Sequence, residues 1–335
     1  MISLCAIAKN EAHCIGAMLE SVRPLVSELI VVDTGSIDTT PAVAQAHGAT
    51  VHHHTWKNDF AEARNLSLSL ATNPWILVLD CDEELVADSI NKIQHLVQGP
   101  PQAYFIDRHH FFATPNPATF SILSPDHPAA LRGAQAYFAT HDIRLFPNVP
   151  TIRFAGAVHE SPEDSLRKGG YNLSRTDCVI YHFGHLFGGA RAQEKAGLYL
   201  ELAHHKVANA PQDWRAWYHL GVELQNHDRH VEAMHAFSRG ITLCQDFAPL
   251  WRQIGISLCA HGEYTTAFEA FTEALSKDHA CPLTWNALGV AFIQVKSFDA
   301  ARLCFETILA GDGQNPAAKT NLQIVAQLQE IHGRS

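Results

Sequence analysis

Three eight-residue stretches in the second half of the chain align without a gap: "WYHLGVEL" from Trp217, "WRQIGISL" from Trp251 and "WNALGVAF" from Trp285. The tryptophans stand 34 residues apart, and the same spacing relates Gly221, Gly255 and Gly289, then Ala233, Ala267 and Ala301, then Phe237, Phe271 and Phe305. An ordinary helical bundle with Trp and Phe in its core has no reason to keep three gapless registers. A period of this length belongs to stacked helix hairpins, with Gly and Ala letting paired helices approach and Trp and Phe filling the gaps between successive hairpins. Such units do not bury their apolar faces alone, so a stack of three beginning near Trp214 needs a cap at each end. Residues 315–331, "NPAAKTNLQIVAQLQEI", supply a terminal helix, and residues 190–208 read as a helix on the other side.

The W-x-x-L-G…A-x-x-x-F pattern is that of the tetratricopeptide repeat. It divides the 335 residues, a length that already favours two domains, into an N-terminal domain over 1–187, a linker helix over 188–210, and three repeats with a capping helix over 211–335. The first half has another rhythm. Short β-rich runs at residues 2–8, 28–33, 49–54 and 75–80 alternate with helical stretches, which predicts a largely parallel, twisted α/β sheet. The second helix is punctuated by N-cap side chains over 36–40, Pro41 at its first position and Gly48 at its exit.

Charge and composition exclude several partners. The net charge is −10 and the basic residues are scattered, so no broad phosphate-binding face for nucleic acid is expected. No run approaches the ~20 apolar residues of a membrane span, and the start, "MISLCAIAKNEAH", turns polar at Lys9, which predicts a cytoplasmic protein. The eight cysteines form no C-x-x-C pair and read as reduced, mostly buried thiols. The histidine clusters 52–54, 109–110 and 204–205 lack Cys or carboxylate partners at ligand spacing and read as structural.

In open parallel sheets ligands sit outside the carboxyl ends of the strands, and the polar residues of this half gather there. The first strand runs into Lys9, Asn10 and Glu11, the second into "DTGSID" from Asp33, and the fourth, "WILVLDCDEEL", into Asp80, Cys81 and Asp82 with Glu83 and Glu84 behind them. Two aspartates at i and i+2 can approach one hard cation such as Mg²⁺ or Mn²⁺; a solvated strand end has the same appearance. In "DFAEARN", Asp59 reads as an N-cap, with Arg64 and Asn65 a turn or so beyond it, so a cation and an amide face the same crevice.

"CAIAKNE", "LIVVDTGSID", "DFAEARN" and "WILVLDCDEEL", in this order and spacing, resemble the nucleotide-sugar-binding half of family 2 glycosyltransferases of the GT-A fold, in particular members that carry tetratricopeptide repeats. The resemblance spans roughly residues 2–187. It implies a metal-dependent, inverting transfer of a sugar from a nucleotide-diphosphate donor, with UDP preferred, to a protein, peptide or glycan acceptor, the repeats binding that acceptor or a partner protein. By the same resemblance, Ala8, Lys9, Asn10 and Glu11 would flank the nucleoside and Asp33 would read the base. Arg64, with Asn65 beside it, would lie near the diphosphate or donor sugar. Asp80 and Asp82 would form the D-x-D motif that meets the donor and Mn²⁺ or Mg²⁺, both as metal residues, with Asp82 ahead of Asp80 as the direct ligand. Residues 141–147 and 152–160 resemble acceptor-side strands. In "VIYHFGH" His182 would complete the metal shell, although a buried structural histidine fits the same pattern, and His185 has no assigned role. Glu160 is the candidate base and His159 the next; the wider family often shows Glu-Asp where this chain has "HE".

Two other functions fit parts of the sequence: a tetratricopeptide adaptor with a catalytically inactive glycosyltransferase-like domain, and a nucleotidyltransferase, which the lack of a G-x-x-x-x-G-K-[ST] loop disfavours. Residues 113–140, rich in Pro and small residues, read as a long loop and a candidate acceptor-side flap.

Overall fold

The computed structural model describes residues 1–114, 121–123, 126–156, 160–187, 189–313 and 315–333. The chain divides into two compact units, one made of Met1–Phe112 with Ala139–Gly188, the other of Ala113–Phe138 with Gly189–Ser335.

The first unit is built on strands β1 (Ile2–Ala8), β2 (Glu28–Asp33), β3 (Thr50–His53), β4 (Trp75–Val78), β5 (Glu83–Leu85) and β6 (Ala103–Phe112). A two-residue β7 (Ser121–Ile122), assigned to the second unit, is followed by β8 (Ala136–Pro147) and β9 (Leu173–His182). The sheet order is β3-β2-β1-β4-β8-β6-β9-β5, with β7 on β8. Strands β3, β2, β1 and β4 are mutually parallel, so the ends of β1, β2 and β4 open on one side, as the alternating sequence predicts. β8 joins β4 antiparallel, β9 runs parallel to β6, and β5 pairs antiparallel with the end of β9, opposing Glu83 to His182.

Strands β1, β2 and β4 are largely apolar because both faces are covered. Leu4, Ala6, Val31 and Leu77 pack with Ile15, Met18 and Leu19 of α1 (Ile15–Val22), whereas Cys5, Ile30, Ile76 and Val78 pack with Ala61 and Leu68 of α3 (Phe60–Leu70). Asp59 caps α3 as predicted, accepting from the Glu62 N–H at 3.1 Å. α2 (Thr40–Ala46) is capped from within the predicted stretch 36–40: the Thr39 side chain makes no cap bond, and Asp38 accepts from the Thr40 N–H at 2.9 Å.

Two expectations are corrected. Residues 141–147 do form a strand, but 152–156 are irregular apart from a bridge between Ala155 and Ser161, because the Asn65 side chain replaces a neighbouring strand along Phe154. The stretch 113–140 is not wholly a loop: β7, a 3₁₀ turn at Ala130–Arg132 and the start of β8 fall within it.

In the second unit, α8 (Trp214–Asn226) pairs with α9 (His230–Leu243), α10 (Ala248–Ala260) with α11 (Tyr264–Lys277) and α12 (Pro282–Gln294) with α13 (Phe298–Gly311). α7 (Gly189–Asn209) adds Ala203 and Val207 to the first hairpin's core, and α14 (Pro316–Gly333) adds Ala318 and Val325 to the last. Phe237, Phe271 and Phe305 are fully buried, but they fill the inside of their own hairpins rather than gaps between them. A Cβ on Gly221, Gly255 or Gly289 would come within 2.3, 2.6 and 2.6 Å of the ring in the same repeat. Each repeat tryptophan donates its ring N–H to the carbonyl six residues earlier, as Trp217 does to Pro211 at 2.9 Å. No helix among the described residues is long and apolar enough to cross a membrane.

Candidate active site

The turn after β1 and the loop after β2 are tied together. Ser36 Oγ accepts from Asn10 N at 2.8 Å, Asn10 Oδ1 accepts from Ile37 N at 2.7 Å, and Thr40 Oγ1 accepts from Glu11 N at 2.6 Å. Asn10 adopts φ 57°, a conformation asparagine tolerates better than most residues. Ala8 is buried, its carbonyl taken by Thr34, while Lys9 is exposed. Asp33 is 2% exposed at the end of β2. It accepts from the N–H groups of Gly35 and Ser36 and faces His53 Nδ1 at 3.2 Å. With Thr34, His54 and Trp56 it lines an open cleft of about 360 Å³.

The residues beyond β4 form a second cluster. Arg64, brought in by α3, donates through Nη2 to Asp80 and through Nε to Glu160 at 2.9 Å. Its Nη1 is buried without a hydrogen-bond partner among the described residues. Burial opposes the charge of Arg64, but the carboxylates of Asp80 and then Glu160 outweigh it and raise its pKa. Burial likewise opposes ionisation of Asp80, yet Arg64, Arg144 and Arg108 hold its carboxyl well below the usual range. Glu83, with no exposed side-chain surface, accepts from Asp80 N at 2.8 Å, Arg144 Nη2 at 2.8 Å and Arg108 Nη1 at 3.2 Å. This explains the acidic run after the buried strand: Glu83 locks the turn internally, which leaves Asp80 and Asp82 at the strand end.

Asp82 meets His182, with Oδ1 3.5 Å from Nε2. The Phe183 N–H, donating to the Asp82 carbonyl at 2.9 Å, fixes the two segments together. A Cβ on Gly184 would lie 2.5 Å from Asp82 Oδ2 and 2.9 Å from His182 Nε2. Glycine therefore keeps clear the space beside the Asp82 carboxylate and His182 Nε2. A carboxylate and an imidazole converging on a space that only glycine leaves clear fit a divalent cation, and the nitrogen favours Mn²⁺ over Mg²⁺.

The structure therefore gathers Arg64, Asp80 and Glu160 into one contact group and Asp82 with His182 into another. Asn65 departs from the donor-side expectation: both ends of its amide are engaged by the Phe154 backbone, at 2.9 and 2.8 Å. His159 lies outside the described residues. Sequence reasoning gave no site role to Arg108, Arg144 or Gly184, read His110 as structural, and placed Glu83 only in the acidic run after the strand. The available signal was period-two placement, Arg108 with His110 and Asp142 with Arg144 sharing strand faces.

Residues 3–155 match the family described as Glycosyl transferase family 2; Glu160, His182 and Gly184 fall beyond the match. A TPR repeat-containing protein of Synechococcus elongatus is 35% identical over 200 residues, 58% of this chain and 44% of that protein. An uncharacterized glycosyltransferase of Rickettsia felis is 39% identical over 95 residues, 28% of this chain and 33% of the other. The SPbeta prophage-derived glycosyltransferase SunS of Bacillus subtilis is 24% identical over 243 residues, 72% and 53% of the two chains. The chain thus spans between a third and about half the length of these relatives. The match to glycosyl transferase family 2 thus covers residues 3–155, within the α/β unit, and helical repeats follow it, as the resemblance to a TPR repeat-containing protein leads one to expect.

Proposed function

We propose that the first unit transfers a sugar from a nucleotide diphosphate, UDP in preference to others, to a protein, peptide or glycan acceptor, with inversion at the anomeric carbon. The observation that carries this reading is Arg64 bridging Asp80 and Glu160, residues from separate segments, beside the Asp82–His182 pair. Asp33 accepts an N–H of the base, and the turn of Ala8, Lys9, Asn10 and Glu11 flanks the nucleoside. Arg64, whose Nη1 has no hydrogen-bond partner among the described residues, lies beside the diphosphate.

Asp82 and His182 would hold Mn²⁺, with Asp80 beside them; when bound, the cation offsets charge on the departing diphosphate. The acceptor attacks the anomeric carbon in line as the bond to the diphosphate oxygen breaks, through an oxocarbenium-like transition state. Its proton passes to Glu160, oriented by Arg64 Nε; positioned acid-base groups typically contribute ~10²- to 10⁴-fold. The repeats bind the acceptor or a partner protein. The eight free thiols suit a reducing compartment such as the cytoplasm.

Calorimetric titration with UDP and GDP, with and without Mn²⁺, followed by a panel of nucleotide sugars, tests this reading. Metal-dependent UDP binding and donor turnover that disappears in Asp82→Ala are expected. Failure to bind either nucleotide would favour the adaptor with an inactive α/β unit.

A further inference from the structure

Register places His110 of β6 directly opposite His182 of β9, and their Nδ1 atoms are 3.0 Å apart. That contact holds one proton, so one ring donates and the other accepts. Behind His110, Nε2 lies 3.0 Å from Thr140 Oγ1, which donates to Asp142 Oδ2 at 3.1 Å. A hydroxyl that gives its only proton to Asp142 offers lone pairs alone to His110. His110 then carries its proton on Nε2, its Nδ1 is an acceptor, and His182 supplies an Nδ1–H to it. His182 is left with a bare Nε2, the nitrogen 3.5 Å from Asp82 Oδ1 in the space kept by Gly184.

The opposite order is also built in. Arg108 Nε donates its one hydrogen to His110 Nε2 at 3.1 Å, and Asp142 Oδ2, 3.2 Å away, is the acceptor to which that hydrogen can turn instead. Donation to His110 turns both rings over, and His182 then gives an Nε2–H to Asp82.

We propose that Asp142, Thr140, Arg108 and His110 form a two-state hydrogen-bond relay that sets the tautomer of His182: with Arg108 on His110 the His182 Nε2–H closes on Asp82, and with Arg108 turned to Asp142 a bare Nε2 stands beside Asp82 for a divalent cation. His110 is a positioning residue, and the proposal rests on Asp82 and His182 being the cation's ligands. An outer partner of this sort is typically worth 10- to 100-fold in metal affinity.

The test is Mn²⁺ affinity at fixed UDP in the full chain, for wild type, Asp82→Ala, His110→Phe, His110→Asn and Thr140→Val. His110→Phe is expected to weaken Mn²⁺ binding by about 10- to 100-fold. His110→Asn, whose amide oxygen can take the place of Nδ1, is expected to recover most of the loss, and Thr140→Val to fall between. Ring ¹⁵N resonances of His182 with Zn²⁺, a diamagnetic probe, should show the proton on Nδ1. Wild-type affinity in His110→Phe, no recovery in His110→Asn, or a proton on Nε2 of metal-loaded His182 would each overturn the relay. Absence of Mn²⁺ binding in wild type, or undiminished binding in Asp82→Ala, would instead overturn the ligand assignment on which it rests. His185, whose ring centroid is 5.5 Å from that of His182, offers the competing arrangement of three directly ligating imidazoles; that arrangement predicts no recovery by asparagine.

Discussion

Gly184 shows how much a single position decides. Its missing side chain clears the space between Asp82 and His182, so Gly184→Ala should abolish or weaken Mn²⁺ binding at least ~10-fold while the thermal midpoint stays near that of wild type. Calorimetry and a melting curve on the same sample separate the two effects. A second prediction concerns Glu28, away from the site. Burial raises its carboxyl pKa, but hydrogen bonds from Ser3 and Thr72 outweigh this and hold it below the ordinary 4.5. A carboxyl depressed in the folded state contributes stability above its unfolded pKa and loses it as pH falls through the folded one. Glu28→Gln should therefore unfold at lower urea than wild type at pH 7, with the gap closing as pH drops below 4.5; a constant gap would refute the assignment. At this scale Asp33, Asp80 and Asp82 were legible because an apolar run ends at each. Arg108, His110, Thr140, Asp142 and Arg144 were not, because their meeting depends on β6 and β8 being neighbours, which no local pattern reports.

Among the elements, the repeats were the most legible, since each helix pair sees the same neighbours and the sequence must repeat to match. What the period concealed was where the phenylalanines go: only the glycine contacts place them inside their own hairpins. The period also marks a strained position. Asp228, Gly262 and Lys296 end the first helix of successive hairpins with φ of 57°, 80° and 60°. In each, the following N–H closes back on the helix, as Ser297 does on the Phe292 carbonyl at 2.9 Å. Only the middle repeat uses glycine, and lysine is poorly suited to the left-handed region. Lys296→Gly should stabilise the repeat unit by about 0.5–1 kcal/mol, the lost strain partly offset by chain entropy, read as a raised urea midpoint. In the first half, β1 and β2 matched their predicted bounds because their apolar runs stop at polar residues, whereas 152–156 looked like a strand and is held by Asn65 instead.

For the whole molecule, the repeats suggest one crossing from α/β domain to helices, whereas the chain changes unit after Phe112, after Phe138 and after Gly188. The early segment has no period of its own, so nothing in its sequence announces where it belongs. Within the second unit β7 lies against α14, tying a piece from the first half of the chain to the last helix. A chain cut after Gly188 would keep residues 113–138 but remove every helix of their unit. Limited proteolysis should then cut the shortened chain within 113–138 far sooner than the full chain, because backbone without packing partners opens readily. The α/β strands should resist in both, since their two cores lie within the retained residues. Equal protection of 113–138 in both proteins would mean that the α/β unit alone holds the segment.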